Sequence, residues 1–366
     1  MREKVRIPSG CAVAGILHQD GRRVSGEVII RSMEVMHERS NGLGGGFAGY
    51  GIYPQFAELY AFHVLYDDLS ARSEVEELLQ KDFTIEQEES IPIWENSTIT
   101  DHPFFFRYFL YPKRTRDNEE DVVVRLVMTI NAMIEGAYVV SSGKNMGVFK
   151  GVGYPEDIGR FFRIEEYEGY CWIAHGRFPT NSVGWWGGAH PFNLLQFSVV
   201  HNGELSSYGV NRRYLENFGY LCTLQTDTEV IAYLVDLLLR RHRVDPSFLG
   251  AILAGPFWSQ IEEMNEPQKS FYRALRITYG GALLNGPFSI IVGFEGGMFG
   301  LVDRIKLRPM VAGWSGDTFY LASEESAIRA IAPSLDVVKA LHAGEVMIGR
   351  LKEGICHGQE FAFPRV

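Results

Sequence analysis

The sequence predicts an α+β fold, a four-layer αββα sandwich in which two mainly antiparallel sheets pack face to face with helices outside. Three observations predict it. Apolar β-rich runs and amphipathic helical stretches are intermixed without a regular strand-helix-strand beat. Gly-rich turns join several of the strands. A chain of 366 residues with 46% hydrophobic content can bury a sizeable core, and no Pro-, Ser- or Gly-rich linker separates globular halves, so one elaborated domain is expected.

Residues 1–10, MREKVRIPSG, read as a short polar leader without the apolar core of a secretory signal. The following CAVAGIL has the character of a buried strand. Ser25 can cap a helix running to about Arg39, with Ile29, Ile30, Met33 and Met36 as its apolar stripe and Gly42 ending it. A strand over 47–53 follows. Residues 55–165 form an expanded region with strands at 59–66, 104–111 and 138–142 and helices at 72–81 and about 119–135. Its acidic groups at 86–89 and 119–121 suit a solvated face and a helix N-terminus better than a metal site. The run FFFRYF at 104–109 is expected to be a buried strand. Strands at 171–175 and 194–201 flank a loop rich in Gly and Trp, a composition suited to a flexible flap over a small ligand. Thr226 and Glu229 have the spacing of a capping box that opens a helix continuing to Leu238. The Arg240-Arg241-His242-Arg243 run falls at its C-terminal end, where cations are favoured. Strands at 289–294, 298–302, 318–322 and 345–348 complete the pattern.

The net charge of −10 and pI near 5.5 argue against nucleic acid or an anionic membrane as the main partner. No segment has the apolar length of a membrane span, so a cytoplasmic protein is expected. The four cysteines have no CxxC spacing, the 42–51 glycines lack the order of a phosphate loop, and His175, His190 and His201 lack a helix-spaced pair; no metal is expected.

The candidate chemistry lies in four separated pieces. Cys11 is either a small hydrophobe at a strand start or a nucleophile. In the second case removal of residues 1–10 would put a thiol and an α-amino group on one residue, the amine having an ordinary pKa of about 7.7–8.0, suited to a base near neutrality. Arg177, at a strand end, can make a salt bridge or grip an amino-acid carboxylate with its planar fork. The Val200-His201-Asn202-Gly203 ending is either a hairpin turn or an anion trap built from the Asn202 amide and the Gly203 N–H. Asp227, left over from the capping box, suits any helix N-terminus. Phe178, Trp185 and Trp186 can seal a pocket or pack ordinarily.

In order, Cys11, His175-Gly176-Arg177-Phe178-Pro179-Thr180, Val200-His201-Asn202-Gly203-Glu204 and Thr226-Asp227-Thr228-Glu229 resemble the glutamine-hydrolysing domain of class II glutamine amidotransferases, of the N-terminal nucleophile hydrolase superfamily. Further stretches, among them Met36 to Gly42, Gly143 to Phe149, Gly184 to Phe192 and Leu321 to Glu325, look like the stand-alone amidotransferase subunit of archaeal-type glutamate synthase. The resemblance covers nearly the whole chain from Cys11 onward. It departs at Cys11-Ala12-Val13, where the family usually has Cys-Gly-Ile, and at Asn181, where several relatives have histidine. It implies Cys11 as nucleophile, Asn202 and Gly203 as oxyanion donors, Arg177, Thr180 and Asn181 around the glutamine α-carboxylate, Asp227 on its α-ammonium, and Arg39 and Phe178 in support. Residues 1–10 would be removed, leaving 11–366 as the amidotransferase domain. L-glutamine is the implied substrate and ammonia the product, passed to a separate synthase subunit carrying FMN and an iron-sulfur cluster; no cofactor is expected in this chain. The alternatives are a subunit of a related synthase of the N-methylglutamate type and a non-catalytic, amino-acid-binding regulatory module. The Asp303-Arg304 and 306–309 segment resembles a structural part of the fold.

Overall fold

The computed structural model describes residues 10–95, 98–113, 117–178 and 184–357, with side chains to 353. Its centre is a pair of antiparallel sheets. One has seven strands in the order Val337–Ala340, Val311–Ser315, Thr318–Ala322, Ala12–His18, Cys171–Gly176, Gly45–Tyr50, Met146–Gly151; the other has six, Phe192–Leu194, Phe197–Gly203, Phe288–Phe294, Gly297–Val302, Val346–Arg350, Gly354–His357.

Strand alternation shows how the layers form. In Ala12–His18, Val13 and Leu17 face the other sheet, where they meet Val200, Ile291 and Met298, while Ala12, Ala14 and Ile16 face outward against helices. Both faces are covered, so the strand is apolar throughout rather than alternating. Helices Glu27–Glu34, Pro155–Phe161 and Glu325–Arg329 cover the outer face of the seven-stranded sheet through Ile29, Ile30, Ile158 and Ile328. Helix Asp227–Asp236 covers the six-stranded sheet, its Val230, Ile231 and Leu234 joining Phe288, Ile290 and Val292. This is the αββα sandwich. Each fully buried aliphatic or aromatic side chain contributes about 1.5–3 kcal/mol, which leaves the sheet ends as the economical place for polar chemistry.

The expanded region builds a further four-stranded sheet, Phe83–Ser90, Phe104–Pro112, Tyr60–Tyr66, Ala137–Ser141, packed under helices Arg72–Asp82 and Glu119–Met133. Strand Phe83–Ser90 is absent from the sequence reading because its Glu-rich solvent face hides the alternation; it lies at the edge of this sheet, where charge blunts unpaired pairing groups. In the FFFRYF run Phe105, Tyr108 and Phe109 are buried as expected, whereas Phe104 is about half exposed. Glu119, Glu120 and Asp121 occupy the first turn of a helix capped by Asn118. The helix expected to run to Arg39 stops at Glu34, and a 3₁₀ turn, His37–Arg39, carries the chain onward. No helix among the described residues is long and apolar enough to cross a membrane.

Candidate active site

The antiparallel register explains how distant residues meet. Ala12 pairs with Gly176, and Gly176 with Gly45. Cys11, just before one strand, therefore lies beside Arg177, just after its neighbour. Across the sandwich, Asn202 pairs with Ser289 and Ser289 with Val302, so the end of Phe197–Gly203 and the loop after Val302 share one rim.

Cys11 is a free cysteine, half-buried as a residue. The Phe178 N–H donates to its Sγ at 3.3 Å, and Arg39 Nε donates to its carbonyl at 3.3 Å. Arg39 is braced by Glu324 at 2.6 Å. Burial pushes the Cys11 thiol up; the Phe178 amide and the charges of Arg177 and Arg308 oppose this, while Asp227 adds to it. The preceding residue, Gly10, is buried among polar groups. A side chain there would begin 3.2 Å from Arg308 Nη1, 3.6 Å from Arg39 Nη2 and 4.0 Å from Asn202 Oδ1.

Asn202 is completely buried, and among the described residues neither of its amide atoms has a hydrogen-bond partner. Such a group costs stability unless a ligand or water completes it. The hairpin reading of Asn202-Gly203 does not hold: both residues stay in the strand, paired with Ser289 and Phe288. Gly203 has φ of 149°, and a Cβ on it would lie 2.0 Å from the Pro287 carbonyl oxygen. Glycine is needed here for close strand packing rather than for a turn.

Arg177 is buried, with its N–H donating to Gly44 O at 2.8 Å and its carbonyl accepting from Ser40 Oγ at 3.1 Å and Asn41 N at 3.2 Å. Burial lowers the guanidinium's pKa, and Cys11 and Asp227 act against that. Asp227 is the first residue of its helix. Its Oδ2 accepts from Leu205 N at 2.9 Å, and its Oδ1 accepts from Thr228 Oγ1 at 3.3 Å and lies 3.5 Å from His201 Nδ1. Burial pushes the carboxyl up, but His201 and these donors outweigh it, so Asp227 is held below the usual carboxylate range. Only half of the expected capping box forms. Thr226 accepts from Thr228 N at 3.2 Å, whereas Glu229 turns away to accept from Thr223 N and Leu224 N.

The three histidines lie behind these groups. His175 donates to His201 O at 3.0 Å and stacks on His190 at 4.0 Å, while His190 and His201 both reach Thr228 Oγ1. Burial pushes His175 down to about 3 and His190 well below its ordinary value, so both are neutral. Among the described residues no cluster of three or more His, Cys, Asp or Glu is placed to hold a metal ion.

The loop expected to be a flexible flap is anchored over its described part. Trp185 packs on Tyr138 and Trp186 on Phe105, and buried Lys150 donates to Gly187 O at 2.9 Å while lying over the Phe192 ring. Both tryptophans are thus packed against the expanded region. Thr180 and Asn181 lie outside the described residues. Three residues around the site are given no role there by the sequence: Glu324 and Arg308, within stretches noted only for their resemblance, and Lys150. Asp303 does organise its segment, accepting from Ile305, Leu307 and Arg308 backbone N–H groups, but that same loop delivers Arg308 to the Gly10–Cys11 junction.

The αββα sandwich is of the N-terminal nucleophile hydrolase type. The chain belongs to the class II glutamine amidotransferases: residues 96–360 match the family described as "Glutamine amidotransferases class-II". That match begins beyond Cys11, whose place in the site rests on geometry. The chain is 52% identical over 349 residues to a protein of Archaeoglobus fulgidus named only as uncharacterized, covering 93% of this chain and 92% of that one. It is 25% identical over 344 residues to a Methanothermobacter thermautotrophicus protein named provisionally as a glutamine amidotransferase, covering 92% and 99%. Among solved structures, glutamine phosphoribosylpyrophosphate amidotransferase from B. subtilis aligns with a TM-score of 0.49 and 16% identity over 95% of this chain; the chain spans 48% of that enzyme's length.

Proposed function

We propose that this chain is a glutaminase subunit that hydrolyses L-glutamine to glutamate and ammonia through a γ-glutamyl thioester on Cys11, and that it delivers the ammonia to a separate glutamate synthase subunit carrying FMN and an iron-sulfur cluster. The observation that carries the reading is the buried, unpartnered Asn202 amide facing the Gly10–Cys11 junction. In this reading residues 1–10 are removed and the α-amine of Cys11 takes the thiol proton. The thiolate attacks the side-chain amide carbon of glutamine, and Asn202 with the Gly203 N–H stabilises the oxyanion. Collapse of the tetrahedral intermediate breaks the C–N bond, the amine returns its proton to the departing ammonia, and water hydrolyses the thioester. Arg177 and Asp227 give opposite charges for the two ends of a free amino acid. Thr180 and Asn181 are assigned to the same pocket by the family likeness.

Intact-mass measurement with a glutaminase assay tests this. The expected result is a mature chain beginning at Cys11 that releases ammonia from glutamine, and a Cys11→Ala variant that binds glutamine but releases none. A retained leader with glutamine binding and no hydrolysis would favour the regulatory module instead. The acceptor is tested by reconstitution: a flavoprotein from the same organism should form glutamate from 2-oxoglutarate and glutamine only when this chain is present.

A further inference from the structure

Among the described residues, the rim of the site holds one cation that the proposed chemistry leaves unused. Two guanidinium groups flank the Gly10–Cys11 peptide, Arg39 and Arg308. They differ in compensation. Arg39 is neutralised by Glu324 at 2.6 Å and is also spent on the Cys11 carbonyl. Arg308 has no carboxylate partner among the described residues, and its Nε is buried without a hydrogen-bond acceptor. Its position is nevertheless built. The loop is tied down by Asp303, which is itself buried and accepts from four backbone N–H groups, those of Phe288, Ile305, Leu307 and Arg308. Pro309 follows and restricts the Arg308 backbone. An unpaired charge held this firmly costs stability, and such costs gather where chemistry uses them.

We propose that Arg308 is a positioning residue for the nucleophile: its uncompensated guanidinium keeps the liberated α-amino group of Cys11 neutral and able to accept a proton, and favours the sulfur as thiolate. The inference rests on the proposed freeing of Cys11. Among the described residues, the charges acting on the Cys11 thiol are those of Arg177, Arg308 and Asp227, with the Arg39–Glu324 pair at its carbonyl and His201 behind Asp227. Arg177 and Asp227 oppose each other and are assigned to the two ends of the substrate, so they are neutralised when glutamine binds. Arg308 then remains as the net positive charge at the amine. A nearby like charge disfavours protonation of an amine, and an opposite charge favours ionisation of a thiol. Arg308 therefore favours ionisation of the sulfur and lowers the pH above which the amine is free base, while making that amine a weaker acceptor.

The test compares Arg308→Met, which removes the charge, with Arg308→Lys, which keeps it. Ammonia release is measured from pH 5.5 to 9 and referred to the fraction of chains whose mass begins at Cys11. In Arg308→Met the acid limb of kcat, which reads the glutamine-bound enzyme, should move up by about one pH unit, a roughly tenfold loss at pH 7 that recovers at pH 9, and Arg308→Lys should restore the wild-type limb. A merely structural role would lower the whole profile without moving it. Iodoacetamide labelling of the Cys11 peptide against pH reads the thiol in any folded variant, with or without the leader; its midpoint should rise in Arg308→Met only. An unmoved acid limb, an unmoved alkylation midpoint, or a lysine variant that shifts as far as methionine would overturn the assignment. Absence of glutaminase activity in the wild-type chain would instead remove the reading on which it rests.

Discussion

The two central sheets end at the same site but hold their groups in different ways. The seven-stranded sheet supplies Cys11 and Arg177 just outside strand ends, where hydrogen bonds and charges fix them: Phe178 on the sulfur, Arg39 on the carbonyl, Gly44, Ser40 and Asn41 on the Arg177 backbone. The six-stranded sheet supplies Asn202 and Gly203 from inside a paired strand, where steric fit fixes them. Groups of the first kind can be retuned singly, because each depends on partners that a substitution can alter. Those of the second kind depend on backbone position, so a small steric change should spread along the strand. The largest predicted effect follows. Gly203→Ala places a methyl group 2.0 Å from Pro287 O, closer than any contact allows, and should destabilise the protein by about 1–3 kcal/mol or more while removing nearly all turnover. Urea denaturation and ammonia release measure the two losses; a folded, active Gly203→Ala protein would break the distinction.

Two milder substitutions sharpen it by separating turnover from binding. Asn202→Ala removes a group that the free protein does not itself use, so kcat should fall about a hundredfold to a thousandfold with little change in KM. Arg177→Lys keeps the charge but loses the fork. Hydrogen bonds to charged groups are worth about 1.5–3 kcal/mol, which predicts a KM rise of about tenfold to a hundredfold with a smaller change in kcat. Steady-state kinetics in glutamine distinguish the two patterns, and an exchange of patterns would reverse the roles assigned to the two sheets.

The contrast also explains what was legible in the sequence. Strand and helix positions follow from apolar periodicity, and Cys11, Arg177, Asn202 and Asp227 stand at strand or helix ends that the periodicity marks. Backbone interlocking leaves no such trace. Asn202-Gly203 reads locally as a turn, and only the distant Pro287 carbonyl shows why glycine is required in an extended strand. The Gly- and Trp-rich loop reads as mobile, yet Trp185 and Trp186 find partners in the expanded region, which no local pattern predicts. Arg308 stands in the 306–309 segment read as structural, because its meaning depends on Asp303 turning the chain back toward Gly10.

The smallest predicted effect concerns the imidazoles behind the site and their counterpart in the expanded region. Burial pushes His175 down to about 3 in the folded state, and also His63, which stands on the expanded region's strand Tyr60–Tyr66 with its ring between Tyr53 OH and Val148 O of the central sheet. The ordinary value is about 6.5, so below that pH the unfolded chain binds protons that the folded chain refuses. Stability from these groups is complete above about pH 6.5 and erodes as pH falls toward 3, by up to about 1.4 kcal/mol per pH unit for each histidine. The same sign in both regions means that acid should not unfold the site selectively. His63→Gln, which removes one titrating group far from Cys11, should flatten the decline of stability between pH 6 and 4.5 by about one proton's worth while leaving kcat/KM at pH 7.5 within about twofold. Urea midpoints across that range check the slope; an unchanged slope would show that His63 binds its proton alike in the folded and unfolded protein and would overturn its role in acid sensitivity.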